Sequence, residues 1–388
     1  MPLELRDELR TDLSLLRAAF DAGVVPSRAR AQGRTWSIWS DFCHTLGTDP
    51  TLADVGDPVL LLQLFAQRYR DGRLAPSHHP VRSRSVEDAI RAVGQGFARV
   101  GAPDPRLNDA GHLDFRLTRQ LRGYSRADPP PTRVKPIPIS VIIHALTVAA
   151  ASDTADSWAV ADMACTAFFF LLRPGEYTSA PSDTRPFYLE DIQLFIGRAR
   201  LNLATASDGD LQTATFTTYT FTTQKNGVRG EVIGLGRSGS PLACPVLATV
   251  RRILHLRAHH APPDTPLSTY YRATPNRTTK HPVTPADVTA ILRASVSALG
   301  PSLGFLPKDI TSKSLRAGGA MSLLLARVDP DLIRLIGRWR SDEMLRYLHL
   351  QAQPVMQNFA RRMLQSGVYT LLPGQDVPPI DVPPHNPV

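Results

Sequence analysis

Four short stretches carry side chains that could act together on a phosphodiester: "LLRPGEY" with Arg173 and Glu176, "TTQKNGVRG" with Lys225, "SKSLRAGG" with Lys313 and Arg316, and "IGRWRSDEMLRY" with Trp339 and Tyr347. A phosphodiester offers two non-bridging oxygens and gathers charge in an in-line transition state. Two convergent arginines can hold it bidentately and stabilise that charge, each lost donor costing about 10² to 10³ in rate. A tyrosine phenolate is a competent nucleophile, and its phosphotyrosine product keeps the ester energy for religation. The leaving 5′ oxygen needs a proton, which a lysine on a mobile hairpin can carry into a groove. Each stretch alone has a plainer reading. An arginine after an apolar helix satisfies helix-end carbonyls, a tyrosine is commonly a half-buried ring, and a lysine at a hairpin tip is a solubilising charge. The order of the four and their local contexts raise the chemical reading above these.

The last stretch is the most informative. Too many guanidinium groups crowd it for a buried helix, and a solvated one has little use for its tryptophan and tyrosine. Ser341 suits an N-cap, Asp342 and Glu343 suit the positive end of the helix it starts, and Met344, Leu345 and Leu348 supply an anchoring apolar face. Tyr347 is thereby directed toward a basic cleft, leaving Arg338, Arg340 and Arg346 for flanking phosphates or a neighbouring subunit.

The elements that must position these groups fall into two halves. Residues 1–26 hold a short amphipathic candidate (Leu13, Leu16, Phe20), read as an arm or assembly contact. From Ser27, Trp36, Trp39, Cys43 and Leu46 recur at helical spacing up to Gly47, while Arg28, Arg30 and Arg34 occupy the part free to touch phosphates. "DPVLLLQLFAQRYRDG" reads as a helix, and a further one is expected from Ser85 as N-cap with Asp88 at N3. "FRLTRQLRGYSRADPPPTRVKPIP" carries a basic helix into a proline-rich stretch, which sets a domain boundary near residue 130. The second half opens with helices, including "SWAVADMACTAFFFLLR", apolar nearly all round and hence buried. Residues 187–235 change to alternating and β-branched patterns. "ATFTTYTFTT" and "GEVIGLG" form a hairpin signal with Asn226 and Gly227 in the turn and Lys225 at the tip. Helices resume after Cys244, Thr284 and Lys313, and residues 368–388 are a proline-rich tail read as disordered.

Composition bounds the partners. The 388 residues suffice for two domains with real cores, and a net charge of +9 favours polyanions. Of the 44 basic residues only Lys135, Lys225, Lys280, Lys308 and Lys313 are lysine. No apolar run is long enough to cross a bilayer, the start lacks a signal-peptide core, and three scattered cysteines indicate neither a disulfide framework nor zinc. An intracellular protein is expected. His255, His259 and His260 could share a helix face, but no acid or cysteine completes a ligand set, so a basic helix end is the better reading.

The sequence resembles the tyrosine recombinases, whose Arg, hairpin Lys, His/Lys-x-x-Arg, His/Trp and Tyr run in this order; the match spans roughly residues 135–350. Within that family, "GRWRSDEMLRY" with "SLRAGGA" looks most like enzymes of eukaryotic Crypton and DIRS-type mobile elements. The resemblance implies a mainly α, two-domain DNA clamp: an all-α core-binding domain over 27–130 and a mixed catalytic domain with a small sheet over 131–367. It implies that Arg173 and Arg316 clamp the scissile phosphate, Lys225 is the acid, Trp339 packs beside the phosphate, Tyr347 is the nucleophile and Glu176 braces the site. Lys313 fills a slot usually held by histidine, which leaves the division of acid and base work between Lys313 and Lys225 open. The eight residues from Trp339 to Tyr347 are one fewer than in many bacterial relatives, about 100° of helix that the turn at Arg340 and Ser341 must absorb. Duplex DNA is the implied partner, with four protomers in a synaptic complex and a monomer or dimer before it. No cofactor, metal or membrane is implied, and the nucleus is the expected location, otherwise the cytoplasm. A helix at Val355, Met356, Phe359 and Met363 is either ordinary packing or a dock on an adjacent protomer. The competing readings are a DNA-binding protein that has lost cleavage and a type IB topoisomerase-like enzyme.

Overall fold

A computed structural model describes residues 3–130, 134–180, 184–222, 230–274 and 277–339. Two compact units follow the chain. The first contains α1 (Leu3–Ala22), α2 (Pro26–Thr45), α3 (Pro58–Arg70), α4 (Ser83–Arg99) and α5 (Phe115–Ala127). Pro26 opens α2 at a position where no N–H is needed, and Gly47, at φ 70°, lets the chain leave it in the left-handed region. Trp39, Phe42 and Cys43 of α2 pack with Leu62 and Phe65 of α3 and with Val86, Ile90, Val93 and Phe97 of α4. The Trp39 and Phe65 rings meet edge-on at 5.3 Å, and the Trp39 indole donates to the Pro50 carbonyl at 2.9 Å.

α4 starts at Ser83, two residues before the expected cap at Ser85. The reason is tertiary. Asp128, just beyond α5, accepts the Ser83 N–H at 2.9 Å and the Ser83 hydroxyl at 2.6 Å, so a distant carboxylate does the capping that local spacing had assigned to a serine.

The second unit contains α6 (Ile139–Ser152), α7 (Ala155–Phe169), α8 (Pro174–Tyr177), β1 (Ile192–Ile196), β2 (Ala199–Arg200), α9 (Asp208–Thr213), β3 (Phe216–Phe221) and β4 (Glu231–Gly236). It continues with α10 (Pro245–Ala258), β5 (Thr269–Thr274), β6 (Arg277–Pro282), α11 (Pro285–Leu299), α12 (Ser314–Leu325) and α13 (Pro330–Ile336). α7 is the central rod, with α6, α10, α11 and α12 against it, which explains its apolar circumference. Its one buried acid, Asp162, is held by Arg251 at 2.9 Å; burial still pushes the carboxyl up to about 6, with Arg251 opposing.

The main sheet is antiparallel in the order β2-β1-β3-β4, with Leu194 opposite Thr217 and Thr218 opposite Gly234. β3 and β4 pair from Phe221↔Glu231 to Phe216↔Gly236, the hairpin expected from their alternation. The β5–β6 ladder was not anticipated. Most of its residues face solvent, so it lacks the period-two apolar signal that marks a half-buried strand. The described residues are thus mainly α with small antiparallel sheets. Among them, no helix is long and apolar enough to cross a membrane.

Candidate functional site

The site in the second unit is organised by the C-terminal end of α7. After Phe169 the chain turns through Leu171, a buried leucine at φ 51°, and enters α8 with Arg173 as its N-cap. The turn leaves helix-end carbonyls, with their partial negative charge, facing cations rather than water. The Leu171 carbonyl accepts from Arg316 Nη1 at 2.8 Å and from Arg338 Nη2 at 3.2 Å, and the Phe170 carbonyl accepts from Arg338 Nη1 at 3.4 Å.

Glu176 links the rest. Its Oε1 accepts from Arg173 Nη1 at 3.0 Å, while Oε2 accepts the Arg173 backbone N–H at 2.8 Å and Arg338 Nη2 at 2.9 Å. The Glu176 and Arg338 side chains are each 2% exposed, whereas that of Arg173 is 24% exposed, so one buried carboxylate holds an outward arginine against an inward one. Burial holds the Arg338 guanidinium below the usual arginine range, and Glu176 opposes that shift. The next residue, Tyr177, is buried and donates its O–H to the Ser312 carbonyl at 3.0 Å, which ties α8 to the residue before Lys313.

Lys313 is the exposed N-cap of α12, and Arg316, 3% exposed, lies one turn on and points inward. Gly318 and Gly319 explain the "AGG" of this helix. A Cβ on Gly319 would collide with the Phe168 carbonyl and the Leu171 side chain, and one on Gly318 with the Ile137 carbonyl. Only glycine lets α12 come this close to α7.

α13 ends in a Schellman arrangement: Arg338 N–H donates to the Leu335 carbonyl at 2.9 Å and Trp339 N–H to the Arg334 carbonyl at 3.0 Å. The left-handed position, usually glycine, is Arg338 at φ 56°, at a cost of about 1–2 kcal/mol relative to glycine. This conformation sends its guanidinium inward to Glu176, over the Phe221 ring at 3.8 Å. Gly337 carries the complementary role. Its carbonyl accepts from Arg316 Nη2, and a Cβ there would collide with the Trp339 ring. Trp339, 8% exposed, lies over the Arg316 guanidinium at 4.2 Å.

The structure therefore brings Arg173, Glu176, Arg316 and Trp339 together, with Lys313 held nearby through Ser312. Arg338 is a correction. Expected at a flanking phosphate or a neighbouring subunit, it is buried and engaged by Glu176 and main-chain carbonyls. No sequence pattern announces a left-handed arginine at the end of a helix. Lys225, Tyr347, Arg340 and Arg346, and the Val355–Met363 stripe, lie outside the described residues.

In the first unit Arg28, Arg30 and Arg34 are exposed on α2 as expected. Arg28 borders a groove of about 500 Å³ together with Arg84 and Arg91, but both of these are paired with Glu87 and Asp88, Arg91 at 2.6 and 3.2 Å and Arg84 at 3.3 and 3.5 Å. The helix expected to be basic, α5, presents a second basic face whose arginines the sequence analysis does not single out. Arg119, Arg122 and Arg126 line a groove of about 370 Å³ along α5 beside the exposed Phe115, with no carboxylate partner among the described residues. The three-and-four spacing of arginines in "FRLTRQLRGYSRA" was the available signal. Of the histidines, His255 accepts the Tyr271 N–H at 2.9 Å, which uses its ring nitrogen structurally.

No family model matches the chain, and no curated protein matches it. Among solved structures it is similar to the Tn1549 transposon integrase in complex with a circular intermediate DNA, at 15% identity over 79% of this chain and 84% of that one, with a TM-score of 0.41. A point variant of that integrase on a circular intermediate DNA gives 13% identity over 91% and 98%, with a TM-score of 0.48. A XerA recombinase gives 12% over 85% and 98%, with a TM-score of 0.34. Likeness at this level leaves the functional reading to the residues themselves.

Proposed function

We propose that this chain is a site-specific DNA recombinase that cleaves and rejoins strands through a covalent 3′-phosphotyrosyl link. The observation that carries the reading is the cluster at the end of α7: Arg173, Arg316 and Arg338 gathered around one buried carboxylate and two helix-end carbonyls, with an indole against Arg316. A partly exposed Arg173, held in place by Glu176 and backed by the buried Arg316, is the kind of pre-positioned guanidinium that stabilisation of a charged phosphoryl transition state requires. In this reading Arg173 and Arg316 hold the scissile phosphate and Glu176 keeps Arg173 oriented. Trp339 shapes the pocket, and Lys313 or Lys225 protonates the leaving 5′ oxygen. Tyr347 is the nucleophile. Ester energy is conserved in the phosphotyrosine, and the arginines take the part a cation plays elsewhere, so the reaction calls for neither ATP nor a metal. Four protomers on two duplexes, and integration or excision of a mobile element of the Crypton or DIRS type within the nucleus, complete the proposal.

One observation favours a second reading, a DNA-binding protein without cleavage. Arg316 is 3% exposed and donates to the Leu171 and Gly337 carbonyls, so it must reorient to touch a phosphate. A nicked suicide duplex, built on a sequence the protein itself selects from a random pool, separates the two. The recombinase reading expects trapped covalent protein that disappears in Tyr347→Phe, and an Arg316→Ala variant that loses cleavage far more than binding, since one phosphate contact is a small part of the interface. Tight binding with no adduct supports the second reading.

A further inference from the structure

α1 is a 20-residue helix whose described side chains all face solvent. Leu5, Leu9, Leu13, Leu16 and Phe20 are 42–63% exposed and fall within about 80° of the helix circumference at 3.6 residues per turn. No α1 residue belongs to the core of the first unit, which is built from α2 to α5 and the segments between them. A helix of this length gains little from propensity alone, so a continuous apolar stripe on it calls for a cover.

The charges beside the stripe say what that cover is. Leu9 and Leu16 take d positions of a heptad frame, and Leu13 and Phe20 take a positions. On one flank the e positions are then Arg10 and Arg17, and on the other a g position is Asp12. In a parallel, in-register pair each g residue faces the partner's e residue five positions on, so Asp12 meets Arg17 of the partner subunit, twice by symmetry. An antiparallel pair would place Arg10 against the partner's Arg17, like against like. We infer that α1 is a self-association element that packs in parallel against α1 of a second copy of this chain. This goes beyond the proposed reaction and does not depend on it.

The test uses the full chain. Sedimentation should show a concentration-dependent dimer, and Leu13→Asp/Leu16→Asp should weaken it by at least about 100-fold. The thermal unfolding of that variant should remain cooperative, because the core lacks α1 residues. Asp12→Arg alone should weaken the dimer about threefold to tenfold, and Asp12→Arg/Arg17→Asp should restore it. Leu9→Cys, at a d position near the start of the stripe, should cross-link to itself on oxidation, which a parallel pair permits and an antiparallel pair, with its ends opposed, does not. A wild-type monomer, a dimer indifferent to the aspartates, or a monomeric chain whose α1 instead drives binding to phosphatidylserine vesicles would each overturn the inference.

Discussion

Replacing Glu176 by glutamine removes one negative charge and leaves the shape. In the folded protein Glu176 accepts from the Arg173 side chain and backbone and from Arg338, and the Arg338 side chain is 2% exposed. Breaking a buried ion pair by neutralising one partner typically costs about 3–5 kcal/mol, because the other charge stays desolvated. Arg338 keeps carbonyl acceptors at Phe170, Leu171 and Ile336, so the expected loss for Glu176→Gln falls below that range, at about 2–3 kcal/mol. Arg338→Met should cost less, about 1–2 kcal/mol, since Glu176 retains Arg173 at 3.0 Å. Urea unfolding of the two single variants and the double variant, read by tryptophan fluorescence with unchanged m-values, gives the coupling directly. A coupling of about 2 kcal/mol is expected. Strict additivity, within about 0.5 kcal/mol, would refute the claim that this carboxylate holds the arginines together.

Three other outcomes follow from the same physics. Gly319→Ala should destabilise by about 1–3 kcal/mol because its Cβ meets the main chain at Phe168, whereas Gly123→Ala, open on α5, should stabilise by up to about 1 kcal/mol; urea midpoints distinguish them. If α5 tracks a phosphate backbone, Arg119→Ala and Arg122→Ala should each lower the salt slope of DNA binding by about 1; an unchanged slope removes that face from the interface. His255 is pushed down to about 4, chiefly by burial and then by the neighbouring Arg252 and His259 charges. It stays neutral in the folded chain while the unfolded chain takes a proton near 6.5. Stability present above that pH should therefore fall by about 1–2 kcal/mol, after discounting for solvent screening, as pH drops toward 4; His255→Gln should flatten this slope.

How much of this was legible in the sequence depends on range. The β3–β4 hairpin is written in local alternation, the helix following Thr284 in its cap and the helix following Cys244 in the proline that opens it, and the structure has all three there, with a helix after Lys313 as well. The start of α4 was misplaced because its cap comes from Asp128, 45 residues away. The β5–β6 ladder was invisible because its residues bury too little to leave a pattern. At the site, residue types and order marked Arg173, Glu176, Arg316 and Trp339, which the fold brings together. What spacing could not show is direction: Arg338 reads like its neighbour Arg340, and only the left-handed turn after Gly337 sends it inward. The glycines at 318, 319 and 337 likewise acquire meaning only when the atoms that would meet a Cβ are known.

The central claim is that the arginine cluster serves a phenolate attacking phosphorus, and one measurement reaches it directly. Protein trapped on a nicked duplex is digested with protease and nuclease, and the nucleotide-bearing peptide is identified by mass. A single peptide is expected, carrying the strand's 3′-phosphate on Tyr347, with a free 5′-hydroxyl on the severed strand. A phosphorylated residue other than Tyr347, or a 5′-linked adduct, would contradict it.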